Sequence, residues 1–243
     1  KDGQRKIVVN GYGGYGVNLE PYFNPVHRVF LERGVWYVVA NLRGGGEYGE
    51  AWHRQGNLTN KQNVFDDFHA VLRHLDEAGY TKPANTAIIG GSNGGLLMGA
   101  TFVQHPAAVA AVVSFVGIYD MLRVELSPNG AFNVPEFGTV KDPEHFRALR
   151  AYSPYHNVKD GTAYPPVLFV TGENDPRVDP MQSRKMTARL QAAVKGTKGG
   201  PILLRTSKDA GHGGGSGLDE RIAQTTDAYA FLLHQLKAGA PKK

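Results

Sequence analysis

The chain of 243 residues, 41% of them hydrophobic, is long enough to bury one sizeable core, and parallel α/β architectures often occupy this length as one domain. Its 27 Lys and Arg against 22 Asp and Glu give a net charge of +5, but this excess is scattered, which argues against a nucleic-acid partner. The absence of cysteine excludes disulfides and thiolate metal sites.

Six short runs rich in β-branched residues predict strands. Most of these runs are nearly continuously apolar, as strands buried on both faces of a sheet should be. Segments with helical periodicity lie between them, so we expect one α/β domain over residues 1–243, with a mainly parallel sheet and helices on both faces. The predicted strands are 6–10, 35–41, 86–91, 110–117, 166–172 and 201–207.

The clearest helical pattern is in residues 64–79. Phe65, Phe68 and Leu72 fall on one apolar stripe there, and Gly79 is typical of a helix end. The same periodicity predicts further helices at 19–33, 93–105, 180–195 and 218–238.

The stretch from 118 to 165 interrupts the alternation of strands and helices. It contains several prolines and only a short helical segment at 145–150. A long irregular insertion after a core strand is more often a functional loop than a linker, so we expect this stretch to contribute to a site.

The sequence NGYGGYG at 10–16 follows the first predicted strand, and its glycine spacing fits a dinucleotide-binding fingerprint. Two features argue against a nucleotide. The second strand ends in NLR at 41–43 and lacks the acidic residue that would bind a ribose hydroxyl. Pro21 and Pro25 interrupt the helix that would hold the pyrophosphate. The glycines are better explained as a backbone that must approach a reacting group closely.

The sequence GGSNGGLLMGA places Ser92 between the third predicted strand and an apolar helix, in the G-x-S-x-G context of a nucleophile elbow. This turn is so tight that small residues are needed two positions before and two positions after the serine. The strained turn exposes the hydroxyl and points the next backbone N–H at the future oxyanion. The structural alternative is a serine that only caps the helix.

A hydrolase with this elbow needs an acid and then a histidine after later strands. Asp175 follows the fifth predicted strand, and His212 follows the sixth in a glycine-rich loop. Both lie at the carboxyl ends of strands, where open α/β sheets build their sites. Glu173 and Asp179 are alternative acids, which would otherwise be solvated loop charges, but Asp175 stands where the loop leaves the strand.

The other histidines lie on predicted helices or follow no core strand, and we interpret them as surface or capping residues. The chain has no H-E-x-x-H motif and no paired histidines at ligand spacing, so no metal site is predicted. These histidines are His27, His53, His69, His74, His105, His145, His156 and His234.

Four segments resemble the catalytic domain of the prolyl oligopeptidase family of serine peptidases: NLRGGGEYGEAWHRQGNLTNKQNVFDDF, GGSNGGLL, GENDPRV and AGHGGG. The resemblance runs from about Gly11 to the C-terminal helix. It implies an α/β-hydrolase fold, no cofactor, and Ser92, Asp175 and His212 as nucleophile, acid and base.

The resemblance also implies the remaining site residues. The backbone N–H of Asn93 and the hydroxyl of Tyr12, in GYGG, would form the oxyanion hole. Tyr15 and Val178 would line an apolar pocket, and Arg177 would bind a substrate carbonyl.

Two features depart from the family. The family's proline pocket uses a tryptophan, but the corresponding loop here, SPNGAFNVPEFG, has none, and Phe132 is the nearest substitute. A preference for proline is therefore left open.

Family members also have a large N-terminal β-propeller, which covers the active site and admits short peptides. No propeller sequence is present here, so we expect the catalytic domain alone. The abrupt start at Lys1 is compatible with a piece of a longer protein.

The leading hypothesis is a serine peptidase that acts on short peptides. An esterase that uses the same residues on small acyl esters is the alternative, because esters require less protonation of the leaving group. A third hypothesis is an inactive hydrolase fold used as a scaffold, which the complete set of Ser, Asp and His disfavours.

Neither a membrane-spanning segment nor a signal peptide is expected within these residues. No apolar stretch approaches the roughly 18 residues that cross a bilayer, and the first residues, KDGQRK, lack the apolar core of a signal peptide. We therefore expect a soluble protein without a membrane partner. Because the chain has no cysteine to indicate a redox compartment, cytoplasm and periplasm are both open.

Overall fold

The computed structural model describes residues 1–212, 214–215 and 217–240. The strands of the main sheet are β1 (Lys6–Gly11), β2 (Val35–Ala40), β3 (Thr86–Gly91), β4 (Ala111–Phe115), β5 (Val167–Gly172) and β6 (Ile202–Ser207), and a short antiparallel ribbon consists of β7 (Ala210–Gly211) and β8 (Gly214–Gly215). Within the described residues, the main sheet has the order β2-β1-β3-β4-β5-β6, and every pair of neighbours is parallel. The predicted strands and the predicted parallel sheet are therefore confirmed.

The helices are α1 (Arg28–Leu31), α2 (Glu50–Arg54), α3 (Gln62–Glu77), α4 (Asn93–Gln104), α5 (Gly130–Phe137), α6 (Pro143–Tyr152), α7 (Pro154–Asn157), α8 (Met181–Ala193) and α9 (Leu218–Gln235). Short 3-10 turns lie at Pro25–His27, Leu58–Asn60, Pro83–Asn85 and Val124–Leu126. The predicted helices at 64–79, 93–105, 180–195 and 218–238 correspond to α3, α4, α8 and α9 and are confirmed. Among the described residues, no helix is both long enough and apolar enough to span a membrane.

Successive residues of the central strands point to opposite faces of the sheet, and both faces are buried. In β3, Ile88 packs into the core on one face, while Ala87 and Ile89 pack into the core on the other. Helices α3, α4 and α8 contribute to the first core, and α1 and α9 contribute to the second. This two-sided burial explains why the strands are apolar along their whole length and confirms helices on both faces.

The predicted helix at 19–33 is wrong for most of its length. The structure has only the turn at Pro25–His27, followed by α1. Proline has no N–H to donate and disfavours helical backbone in the residue before it, so Pro21 and Pro25 prevent an earlier start. Asn24 is extended, and its side chain caps the turn.

The stretch 118–165 is more helical than predicted. The predicted segment at 145–150 lies within α6, but α5 and α7 were not predicted. Pro143 and Pro154 are the first residues of α6 and α7, where the missing N–H would have had no helical partner. Pro135 lies inside α5. Two of the five prolines in this stretch therefore mark helix starts.

The parallel strands bring their carboxyl ends to one edge of the sheet. Tyr12 follows β1, Ser92 follows β3, and Asp175 lies just past β5. His212 follows β7, which comes directly after β6. Residues that are far apart in sequence therefore meet at this edge, as open α/β sheets require of a site.

Candidate active site

The turn between β3 and α4 holds Ser92 in a strained conformation. Its φ of 58° and ψ of −119° lie where L-residues are rare, and its N–H donates to the carbonyl of Phe115 at 2.9 Å. A Cβ on Gly90 would lie 2.6 Å from the carbonyl oxygen of Gly94, and a Cβ on Gly94 would lie 2.8 Å from that of Gly11. The predicted need for small residues on both sides of the serine is confirmed.

Ser92, His212 and Asp175 form a hydrogen-bonded chain. The Oγ of Ser92 lies 3.0 Å from Nε2 of His212, and Nδ1 of His212 lies 2.8 Å from Oδ2 of Asp175. An ionised carboxylate only accepts hydrogen bonds, so Nδ1 donates and Nε2 accepts from the serine hydroxyl. A base within reach of a hydroxyl, oriented by a carboxylate, can activate that hydroxyl for nucleophilic attack. Gly213, part of the predicted glycine-rich loop, lies outside the described residues.

Asp175 is held as a carboxylate by several donors. Burial raises its pKa, but hydrogen bonds from His212 and from the backbone N–H groups of Val178 and Arg177 outweigh burial, and the net pKa is lowered. The side chain has no solvent exposure. The ionised form is therefore the stable form in this site.

The alternative acids have other contacts. A carboxylate oxygen of Glu173 lies 3.7 Å from the guanidinium of Arg184, and Glu173 is exposed. Asp179 accepts a hydrogen bond from the N–H of Met181 at 2.9 Å, at the start of α8. Of these carboxylates, the structure places Asp175 at the histidine ring.

Tyr12 and Asn93 lie beside the serine. Burial raises the pKa of Tyr12, the charge of Glu136 raises it further, and an interaction with the Ser92 side chain lowers it in part. The hydroxyl of Tyr12 is thus a neutral donor close to Ser92. Asn93 is the first residue of α4, so its N–H has no acceptor within the helix. Its Nδ2 donates to the carbonyl of Tyr12 at 2.6 Å, which ties the two together.

An aromatic wall lies next to these donors. The rings of Tyr15 and Phe132 stack with centroids 6.0 Å apart, and Phe137 meets Tyr15 edge-on at 5.7 Å. The hydroxyl of Tyr15 donates to Oδ1 of Asn133 at 2.7 Å. Phe132 is 67% exposed, so much of its ring is open to a ligand. The structure thus brings together Tyr15 and Phe132, two pocket residues predicted from distant segments.

The other two predicted pocket residues follow Asp175 directly. Val178 is buried in the core that Tyr15 packs against. Arg177 is exposed, and its charge lowers the pKa of Tyr12, which places the guanidinium in the neighbourhood of that hydroxyl. Val178 therefore lies beside Asp175, to which its N–H donates, and Arg177 lies within electrostatic reach of the Tyr12 hydroxyl.

A cavity of about 420 Å³ borders Ser92 and His212. Phe115 and Val116 contribute apolar surface to its lining, and Arg221 contributes a cation. None of the three rings of the aromatic wall lines this cavity.

Three polar residues near the site were missed by sequence reasoning. Lys61 donates to an oxygen of Glu136 at 2.8 Å, and the other oxygen of Glu136 lies 2.8 Å from Nε2 of His53. The interpretation of His53 as a surface or capping residue is therefore wrong. Nothing in the local sequence distinguishes Lys61 from an exposed lysine, because its partner is far along the chain. Among the described residues, no group of three or more His, Asp or Glu side chains is placed to hold a metal ion.

Comparison with known proteins links this geometry to one family. The model of the prolyl oligopeptidase family matches residues 21–239. The prolyl endopeptidase of Elizabethkingia meningoseptica is 41% identical over 237 residues, which cover 97% of this chain and 33% of that protein. The chain spans about a third of the length of the curated relatives it matches.

Solved structures give the same result. A prolyl endopeptidase superposes with a TM-score of 0.94 at 45% identity, covering 98% of this chain and 35% of the solved chain. Prolyl oligopeptidase B from Galerina marginata, bound to a 35mer hydrolysis and macrocyclization substrate, has a TM-score of 0.91 at 33% identity. That match covers 99% of this chain and 34% of the solved one. The predicted α/β-hydrolase fold is confirmed.

Proposed function

Because the chain belongs to the prolyl oligopeptidase family, we propose that it is a serine peptidase in which Ser92, His212 and Asp175 act as nucleophile, base and acid. The observation that carries the proposal is the hydrogen-bonded chain from Oγ of Ser92 through the His212 ring to Asp175, with distances of 3.0 and 2.8 Å. The 243 residues make up the catalytic domain of that peptidase.

The first half of the reaction forms an acyl-enzyme. Ser92 Oγ attacks the carbonyl carbon of the scissile bond, while Nε2 of His212 takes the hydroxyl proton. The carbonyl electrons move onto oxygen, and the Tyr12 hydroxyl and the Asn93 N–H stabilise that oxyanion. When the intermediate collapses, the C–N bond breaks and His212 gives its proton to the leaving amine.

The second half releases the acid product. Water attacks the acyl-enzyme and gives a proton to Nε2 of His212, and the second tetrahedral intermediate forms. When it collapses, the bond between the carbonyl carbon and Oγ of Ser92 breaks, and the His212 imidazolium gives its proton to Oγ. Asp175 keeps its charge throughout, orients the ring and stabilises the imidazolium that forms twice in each cycle. The steps use these side chains and water.

The substrate is a peptide, with proline preferred before the scissile bond. The stacked rings of Tyr15 and Phe132 offer flat apolar faces to a pyrrolidine ring. Arg177 binds a peptide carbonyl beside this ring. The cavity next to His212 accommodates the residues after the scissile bond, on the side where the leaving amine receives its proton. Relatives named prolyl endopeptidase support the preference for proline.

Turnover of matched anilides tests the proposal. Peptide anilides with proline, alanine or arginine before the scissile bond should be cleaved in the order proline, alanine, arginine. The Ser92→Ala variant should lose about 10⁶-fold in kcat while keeping its circular dichroism spectrum. A fluorophosphonate probe should label Ser92 in the unmodified protein.

Two results would count against the proposal. Hydrolysis of a p-nitrophenyl ester without cleavage of any anilide would favour the esterase. A folded protein that neither hydrolyses these substrates nor reacts with the probe would favour a scaffold.

A further inference from the structure

A buried ammonium group lies beneath the loop that contains Tyr12. Lys61 is 1% exposed, and its Nζ donates to the carbonyl oxygen of Gly13 at 3.0 Å and to Oε1 of Glu136 at 2.8 Å. Glu136 is 3% exposed, and its second oxygen lies against His53. In the described part of the chain, Lys61 has no hydrogen bond to Ser92, so it does not take part in proton transfer there.

The partners of Lys61 belong to two different parts of the proposed site. Gly13 follows Tyr12 in the loop after β1, and Glu136 lies in α5, the helix that also presents Phe132. One side chain therefore connects the loop with the proposed oxyanion donor to the helix with the proposed pocket residue. The hydrogen bond from Tyr15 to Asn133 connects the same loop to the same helix a second time.

Stability alone is a poor explanation for this pair. Removing two charges from water is so unfavourable that buried ion pairs are often no more stabilising than apolar residues of similar volume. A hydrogen bond to the backbone next to Tyr12, however, fixes the loop in a way that an apolar side chain cannot. The loop needs such support because Tyr15 has a positive φ of 56°, which is unfavourable for a residue other than glycine.

The pair also has an electrostatic consequence for Tyr12. The negative charge of Glu136 acts on the Tyr12 hydroxyl, and it would equally oppose negative charge on an oxyanion bound there. The ammonium of Lys61, in contact with Glu136, offsets that charge. The ammonium of Lys61 thus holds the loop through the Gly13 carbonyl and also reduces the repulsion that Glu136 would exert on the oxyanion.

We propose that Lys61 and Glu136 are a positioning pair, which holds the Tyr12 hydroxyl beside Ser92 and couples its placement to the pocket helix α5. The inference rests on the proposed function, and it adds two residues that act on the transition state only through Tyr12. Neither residue contacts the substrate.

A double-mutant comparison tests whether the pair acts through Tyr12. The variant K61M/E136Q removes both charges together, so neither is left buried and unpaired. We expect it to lower kcat for a p-nitrophenyl ester by about 10-fold or more, with a change in KM below about threefold. In the Tyr12→Phe background the same two substitutions should lower kcat by less than about threefold, because the donor that they position is already gone.

A matched control separates this effect from a general loss of stability. Arg189→Met removes an ion pair with Asp160, in which the Arg189 side chain is 28% exposed. The hydrogen bonds that the structure gives Arg189 go to Asp160 and to the carbonyl of Val158, and none goes to the Tyr12 loop. It should leave kcat within about twofold. Melting temperatures of all variants identify any that are partly unfolded at the assay temperature, and assays at a lower temperature then replace those data.

The possible outcomes are distinct. Equal losses of kcat in the Tyr12 and Tyr12→Phe backgrounds, or no loss in either, would overturn the positioning role while leaving the proposed function intact. An unmodified protein that has no turnover and is not labelled by a fluorophosphonate at Ser92 would overturn the proposed function, and the positioning role with it.

Discussion

Asp175 and Glu136 are both buried carboxylates that lie 2.8 Å from a histidine ring nitrogen, yet their surroundings differ. Asp175 accepts from His212 and from two backbone N–H groups, and no Lys or Arg side chain of the described residues forms an ion pair with it. Glu136 binds His53 and also the ammonium of Lys61. The negative charge of Asp175 can therefore stabilise a protonated His212, whereas the negative charge of Glu136 is balanced by the adjacent ammonium of Lys61.

The second difference lies on the far side of each ring. Nε2 of His212 is free to accept from Ser92 at 3.0 Å, whereas the other ring nitrogen of His53 lies 3.4 Å from a carboxylate of Glu50. A histidine held between two carboxylates has no hydroxyl to activate. The hydrogen bond between histidine and carboxylate is thus common to both pairs. The group at the other ring nitrogen, Ser92 in one pair and Glu50 in the other, decides which histidine can activate a nucleophile.

Replacing Asp175 should have the largest effect of any change to the two carboxylates or to Tyr12. Asp175→Asn keeps the volume of the side chain but removes the charge and favours the wrong tautomer of His212. We expect kcat to fall by about 10⁴-fold with the fold retained, as measured by anilide turnover and circular dichroism. If Glu173→Gln does more damage than Asp175→Asn, the acid has been assigned to the wrong residue.

Removing the Tyr12 hydroxyl should have the next largest effect. Tyr12→Phe keeps the ring and the glycine turn but takes away a donor aimed at charge that develops only in the transition state. We expect kcat to fall by about 10²–10³-fold, or about 2.7–4 kcal/mol, with little change in KM. Unchanged turnover on both amide and ester substrates would show that Tyr12 only packs under the loop.

Much of this edge of the sheet could be predicted because its determinants are local. Apolar runs locate the strands, and parallel strands place whatever follows them at one edge, so Ser92, Asp175 and His212 were expected to converge. The glycines around Ser92 indicate the tight turn directly. The resemblance to the prolyl oligopeptidase family, which added Tyr12 and Phe132, is confirmed at the level of the family.

The Lys61–Glu136 pair could not be predicted because its determinants are not local. The two residues lie 75 positions apart, and their burial depends on how α5 packs over the loop after β1. Helix α5 itself was missed because Pro135 within it disfavours a helix in any local pattern. A charge is recognised as buried only once the surrounding packing is known.

Lowering the pH should reveal how much ionised Asp175 contributes to the free energy of unfolding. The pKa of Asp175 is lower in the folded state than its ordinary value of 3.8. Above about pH 3.8 the ionised side chain therefore stabilises the folded state. The contribution is lost as the pH falls through the lower folded-state pKa. We expect the difference in unfolding free energy between the unmodified protein and Asp175→Asn, measured by urea denaturation, to narrow between about pH 5 and pH 3. A difference that widens in this range would mean that the site favours the protonated acid.

The smallest effect should come from His53. His53→Gln keeps a donor for Glu136, and Lys61 still neutralises that carboxylate, so the loop beside Tyr12 remains supported. We expect kcat to change by less than about threefold, whereas His212→Gln, the same substitution in the other pair, should lower kcat at least as much as Asp175→Asn does. Anilide turnover of the two variants, with melting temperatures to confirm folding, gives the comparison directly. A loss of kcat in folded His53→Gln that approaches the loss in His212→Gln would mean that the neutralised pair takes part in the reaction. The difference drawn here between Asp175 and Glu136 would then be wrong, because His53 would contribute to the reaction even though Lys61 balances the charge of its carboxylate partner.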